Sequence, residues 1–246
     1  MNRSEWEHRF EFLNPIQIEA AIAKAPILYI PIGTLEWHGN HLPVGTDALK
    51  AHELCLSAVR RTGGLVLPPF YYGTAGHTGY PLTVLVREEP IIELMRATLQ
   101  RMAEWGAKLA VIFTGHYSGE QMAMVKGIAS AWTDARMKVL ALTDYMLPNP
   151  PTIPDHAASF ETSMMQGLIP GLVHLENLPD KELAPANDPD GNTWGAHRHD
   201  PNHPLYGIFG EDPRTIDATE SVRLADRAAE WLSKAVLDAY KAYEGT

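Results

Sequence analysis

A chain of 246 residues with 45% hydrophobic side chains is long enough to bury one substantial core, so a single α/β domain spanning 1–246 is the first expectation. Thirty acidic against twenty basic residues give a net charge of −10, which leaves no basic stripe for a phosphate backbone and excludes nucleic acid as an expected partner. Cys55 is the lone cysteine, no apolar run approaches a membrane span, and the opening segment lacks a signal-peptide pattern, so a protein of the reducing cytoplasm without a membrane partner is expected.

Residues 26–32, "PILYIPI", form a short apolar run that stops at Gly33 and reads as a buried strand. From Asp47 to Gly63 an acidic cap and apolar spacing through Leu49, Leu54, Leu56 and Val59 predict a helix, with Cys55 inside it. "LVLPPF" at 65–70 reads as a second strand and Tyr71–Thr83 as a long loop. A helix is expected from about Pro90 to Gly106, where Ile91, Leu94, Met95, Thr98 and Met102 recur every three or four residues. "KLAVIF" at 108–113 is a third strand ending at "TGHYSGEQ"; Met122, Val125, Ile128 and Trp132 mark the helix that follows. "KVLAL" at 138–142 is a fourth strand. Residues 148–156 are rich in proline, 157–169 read as a helix, and 177–213 are polar and irregular. Ala218–Tyr243 is the closing helix. Alternating strands and helices predict a largely parallel sheet covered on both faces. Ligands of such sheets bind beyond the carboxyl ends of the strands, where residues 36–47 and His116 fall.

The segment "GTLEWHGNHLPVGTD" (33–47) carries Glu36, His38, His41 and Asp47. Glu36 and His38 are two apart, so in extended backbone their side chains point the same way and one site could receive both, while Trp37 points away. Asp47 stands at a helix start, where a carboxylate is favoured and could also bridge two cations. His116 leaves another strand end, and Glu161 sits on the helix beginning near His156. Taken singly, Asp47 reads as a helix cap, the loop histidines as solvated and Glu161 as surface charge. Three carboxylates and two imidazoles together suit two divalent ions, zinc, manganese or iron rather than calcium.

The same stretch resembles the Glu-x-His-Gly-x-His-Leu-Pro-x-x-Thr-Asp motif of the creatininase family. "YYGTAGHTGYPLT", "TGHYSGE", "HAASFETSMM" and "GIFGEDPRTIDAT" are similar to further motifs of that family, in the same order along residues 28 to 232. The resemblance implies a three-layer α/β/α sandwich with a mostly parallel central sheet, and assembly into hexamers. It also implies that Glu36 and His116 hold one metal, that His38 and Glu161 hold the other, and that Asp47 bridges them. Creatininases proper use a glutamate two residues after the His116 position, where this chain has Ser118, so Glu120 competes with Glu161. Thr114 replaces the family's asparagine before Gly-His, and "YPLT" replaces Phe-Pro-Gly-Thr. Both changes are expected near the substrate and point away from creatinine itself.

Two such ions activate water for attack on a small carbonyl compound. The expected activity is therefore hydrolysis of a small cyclic amide or N-acyl compound. Two alternatives stand beside it: hydrolytic carbon–carbon ring opening of a cyclic keto-inositol, and a non-catalytic small-molecule-binding subunit. Leaving-group protonation needs a shuttle, for which His197 is the first choice and His77 the second, ahead of His156 and His199. Trp194 and Tyr117 are the expected substrate walls. His41 is expected to brace the metal loop from behind, and His199 and His203 to make ordinary loop hydrogen bonds.

Overall fold

The computed structural model describes residues 6–77 and 79–244, so Thr78 of the "YYGTAGHTGYPLT" motif and residues 1–5 of the opening segment lie outside the described residues. Among the described residues six α-helices and four strands follow one another in the order α1 (Pro15–Lys24), β1 (Ile27–Ile32), α2 (Thr46–Thr62), β2 (Leu65–Val66), α3 (Glu88–Glu104), β3 (Leu109–Thr114), α4 (Gly119–Ser130), β4 (Lys138–Thr143), α5 (Ser159–Leu168) and α6 (Ala218–Glu244). The strands form one parallel sheet in the order β2-β1-β3-β4.

Strand alternation sorts the core into two layers. Ile27, Tyr29, Leu109, Val111 and Phe113 face α2, α5 and α6, while Leu28, Ile30, Ile32, Ala110 and Ile112 face α1, α3 and α4. Both faces of β1 and β3 are buried throughout, which is why these strands read as unbroken apolar runs. The result is the three-layer α/β/α arrangement.

Two elements differ from the sequence expectation for identifiable reasons. Helix α1 is capped by reciprocal Asn14 and Gln17 hydrogen bonds and starts on Pro15, yet it buries only Ile22, so its apolar periodicity is faint. The second strand is cut to Leu65–Val66 because Pro68 and Pro69 offer no N–H; pairing resumes only where the Phe70 amide donates to the Pro31 carbonyl. Among the described residues no helix is long and apolar enough to cross a membrane.

Candidate metal centre

The carboxyl ends of β1 and β3 open side by side, and the first turn of α2 drops between them. Glycine makes that approach feasible at two points. A Cβ on Gly33 would stand 2.3 Å from the Ala48 amide nitrogen, and one on Gly115 would stand 2.1 Å from the Asp47 carbonyl oxygen. Asp47 is thereby pressed against both strand ends, within reach of the segments carrying Glu36 and His116.

The five residues proposed as ligands converge. His38 Nε2 lies 3.2 Å from Asp47 Oδ1 and 3.3 Å from Glu161 Oε2, while His116 Nδ1 lies 3.1 Å from Asp47 Oδ2 and 3.2 Å from Glu36 Oε2. The two Asp47 oxygens thus belong to different triads, Glu36–Asp47–His116 and His38–Asp47–Glu161, each with its donor atoms close enough to share one ion. All five side chains are buried. Backbone carbonyls orient both rings: His38 Nδ1 donates to Glu36 at 3.0 Å and His116 Nε2 to Ala75 at 2.9 Å, leaving the opposite nitrogen of each ring to face the carboxylates.

Whether these residues suit metal ions can be tested on their hydrogen bonds. Glu36 Oε2, His38 Nε2 and Asp47 Oδ2 are fully buried and form no hydrogen bond. Leaving such atoms unsatisfied costs several kcal/mol each, so the arrangement demands a cationic partner. Electrostatics give the same answer. Burial works against the His116 charge, but Asp47 and Glu36 overcome it and pull its pKa up to about 10. Burial opposes ionisation of Asp47 as well, and His38 and His116 together hold its carboxyl far below the usual range. The site calls for positive charge, and divalent ions supply it while leaving both imidazoles neutral. Mixed imidazole and carboxylate donors fit zinc or manganese.

Between the two glutamates the geometry separates cleanly. Glu161 enters the site, its Oε2 also accepting from the Ala157 amide at 2.8 Å, whereas Glu120 is exposed on the first turn of α4. Glu161 Oε1 is taken by Lys50 Nζ at 2.6 Å, and the same ammonium lies 3.0 Å from Asp144 and 4.6 Å from the Tyr117 ring centre. Lys50 escaped the sequence reading; the only signal was its position three residues after Asp47 on one helix face. Asp155 was likewise unanticipated. Its carboxylate accepts from the Phe160 and Glu161 amides, fixing the start of α5, and burial pushes its pKa up to about 8.

A cavity of about 350 Å³ opens over the triads, walled by His77, Tyr117, Tyr145, Ile153, His156 and Trp194. Tyr117 and Trp194, the expected substrate walls, are both among its lining residues. His77 stacks on Phe209 with ring centres 4.7 Å apart and lies 4.3 Å from the His156 ring. His156 donates from Nε2 to the Trp37 carbonyl at 2.9 Å, leaving Nδ1 as a lone-pair site.

His197 does not reach this cavity, which corrects its placement as first proton shuttle: its Nε2 is held 2.8 Å from Asp188, beside the buried Arg198. His199 bonds the Tyr80 hydroxyl at 2.7 Å, and His203 Nε2 faces Asp188 at 3.6 Å. His41 Nε2 meets Thr162 Oγ1 at 2.9 Å, outside both triads. Thr114, expected beside the substrate, turns inward instead and donates to the His116 carbonyl at 2.6 Å. Trp37 points away from the triads, toward the Tyr206 carbonyl.

Comparison with known proteins agrees with this architecture. Creatinine amidohydrolase of Pseudomonas putida is 26% identical over 90% of this chain and 88% of its own length. The mycofactocin precursor peptide peptidase of Mycolicibacterium smegmatis is 26% identical over 84% and 85%. The 3-dehydro-scyllo-inosose hydrolase of Thermotoga maritima aligns at 27% over 44% of this chain and 35% of its own. A crystal structure of creatininase superposes with a TM-score of 0.75, at 22% identity over 95% of this chain and 98% of that one. A zinc–zinc form and a manganese form of creatininase reach the same score, a likeness of fold. The family model of creatinine amidohydrolase matches residues 11–236, and the chain belongs to the creatininase family of metal-dependent hydrolases.

Proposed function

We propose that the chain works as one catalytic domain that hydrolyses a small cyclic amide or N-acyl compound at two divalent ions, zinc or manganese. The carrying observation is the Asp47 carboxylate, whose oxygens contribute to two separate donor triads. Glu36 and His116 would hold one ion, His38 and Glu161 the other, with Asp47 shared. Ions bound there supply Lewis acidity toward a carbonyl and a hydroxide nucleophile at neutral pH.

The chain's own residues do the rest. Lys50 engages one oxygen of Glu161, so that only Oε2 is turned toward His38. His77 and His156 line the cavity next to the triads and are the groups placed to carry a proton to the leaving nitrogen. Trp194 and Tyr117 present ring surface to a small substrate. A second reading, carbon–carbon cleavage of a keto-inositol, is favoured by the inosose hydrolase relative and uses the same nucleophile on a ketone. A hexamer in a reducing cytoplasm completes the proposal.

Metal analysis combined with a substrate screen tests it. Protein loaded with zinc or manganese should carry two equivalents per chain and release amine or acid from lactams, formamides or keto-inositols. Less than one equivalent of metal would overturn the dinuclear reading. Turnover of keto-inositols alone would select the second chemistry.

A further inference from the structure

Residues 74–77 form a short strap along one side of the Glu36–Asp47–His116 triad. The Ala75 carbonyl accepts from His116 Nε2 at 2.9 Å, and the His77 amide donates to Glu36 Oε1 at 2.7 Å. Between them Gly76 approaches so closely that a Cβ there would stand 2.7 Å from Glu36 Oε1 and 2.9 Å from His116 Cε1. The strap thus orients the His116 ring, occupies the Glu36 oxygen that does not face His116 and delivers His77 to the cavity. By contrast, His38 and Glu161 are held by the Glu36 carbonyl, Lys50 and the Ala157 amide.

The strap holds a backbone conformation that its sequence does not favour. Ala75 has φ +54°, in the left-handed region that penalises any residue with a Cβ. Such a conformation persists only where its surroundings impose it. Here both polar groups of the preceding residue are clamped: the Thr74 amide donates to Gln121 Oε1 at 3.0 Å, and the Thr74 carbonyl accepts from Ser118 Oγ at 3.2 Å. Gln121 is fully buried in the first turn of α4. Its Nε2 donates to Thr114 Oγ1 at 3.4 Å, and that hydroxyl donates in turn to the His116 carbonyl. One carboxamide therefore joins the strap to the strand end from which His116 leaves. With donor and acceptor both committed in a buried setting, it fixes the spacing of the two segments.

We propose that Gln121 is a positioning residue for the Glu36–His116 half of the centre. It holds Thr74, keeps Ala75 left-handed and so aims the Ala75 carbonyl at His116 Nε2, which leaves Nδ1 toward the carboxylates. The proposal rests on the reading of the triads as metal positions and adds an inequality between them: the half that the strap touches depends on Gln121, and the His38–Glu161 half does not.

Gln121→Met keeps the side-chain length and removes both hydrogen bonds. In protein labelled with 15N-histidine, the His116 Nε2 proton should exchange with solvent about tenfold faster in this variant than in the unsubstituted chain. In competition with a chelator, one of two zinc equivalents should bind about tenfold more weakly and the other as before. Adding Ala75→Gly, which takes up the left-handed turn without support, should restore both readings. Unchanged proton exchange in Gln121→Met, equal weakening of both equivalents, or no restoration by the glycine would each overturn the assignment. Should Gln121→Met not fold, Gln121→Asn, one methylene too short to reach both Thr74 and Thr114, is measured in its place against the same expectations. If the unsubstituted protein takes up no zinc, the two-ion reading falls by itself. The exchange of the His116 proton needs no metal and then decides the role of Gln121, an unaltered rate ending the proposal.

Discussion

Two clusters of histidine and acid in this molecule look alike by composition and behave oppositely. Glu36, Asp47 and His116 gather their donor atoms as closely as Asp188, His197 and His203 do. In the first cluster the oxygens facing the centre are buried and unpaired. In the second, Arg198 has already answered the charge: its Nε lies 2.5 Å from one Asp188 oxygen and its Nη2 lies 2.6 Å from the other. A fork of this kind satisfies a carboxylate bidentately and leaves little for a metal to do. Proximity of ligand-type residues therefore identifies candidates, and unmet charge separates the proposed metal centre from the other cluster.

Breaking the first cluster should have the largest effect. Asp47→Ala removes the shared ligand of both triads, so bound metal should fall from two equivalents to below one. Turnover should drop by about three orders of magnitude, roughly 4 kcal/mol of transition-state stabilisation. Elemental analysis and kcat/KM on the screened substrate measure both, and a variant that keeps two ions would show that Asp47 does not bridge.

Breaking the second cluster should cost fold and not metal. Arg198→Met strands the Asp188 carboxylate and two carbonyl contacts, at Ile208 and Gly210, in a buried setting. The expected loss is about 3 kcal/mol of stability by denaturant unfolding, with metal content unchanged. Loss of zinc in this variant would erase the distinction between the clusters. Uptake of a third equivalent would sharpen it, since the arginine alone would then have kept a metal out.

The most gradual effect is a pH dependence of the chelated protein. The His116 pKa stands at about 10 when folded against an ordinary 6.5, so its contribution to stability is complete below pH 6.5 and disappears as the pH climbs through 10. Thermal unfolding of chelator-treated protein should therefore show a Tm that declines gradually across that window. Zinc-loaded protein, in which His116 would hold metal rather than a proton under the proposed assignment, should lack the decline. Parallel pH profiles for the two forms would contradict the placement of His116 in the centre.

Much of this arrangement was legible from residues alone because it depends on short-range order. Strands β1, β3 and β4 announce themselves as apolar runs, and α2, α3 and α6 by helical spacing. Glu36 and His38 share a side because extended backbone alternates with period two. Glu161, carried over from the family motif, needed the fold to separate it from Glu120, since Glu120, on the helix that follows β3 directly, lies nearer the sheet in sequence than Glu161 does. His197 was misplaced because its partner Asp188, nine residues earlier, is joined to it only by the irregular turns of the 187–210 segment. Lys50 was overlooked because a lysine on an amphipathic helix reads as solvated until the helix is docked.

From its sequence alone the chain settles its alternation of strand and helix, its family and the inventory of groups able to hold metal, since these depend on local periodicity and motif. Tertiary structure alone decides which of those groups meet. Gly33 and Gly115 let the start of α2 press between two strand ends, and a buried arginine neutralises the other cluster. The reason is that charge compensation in a buried site depends on distances between residues up to a hundred or more positions apart, which no local pattern encodes.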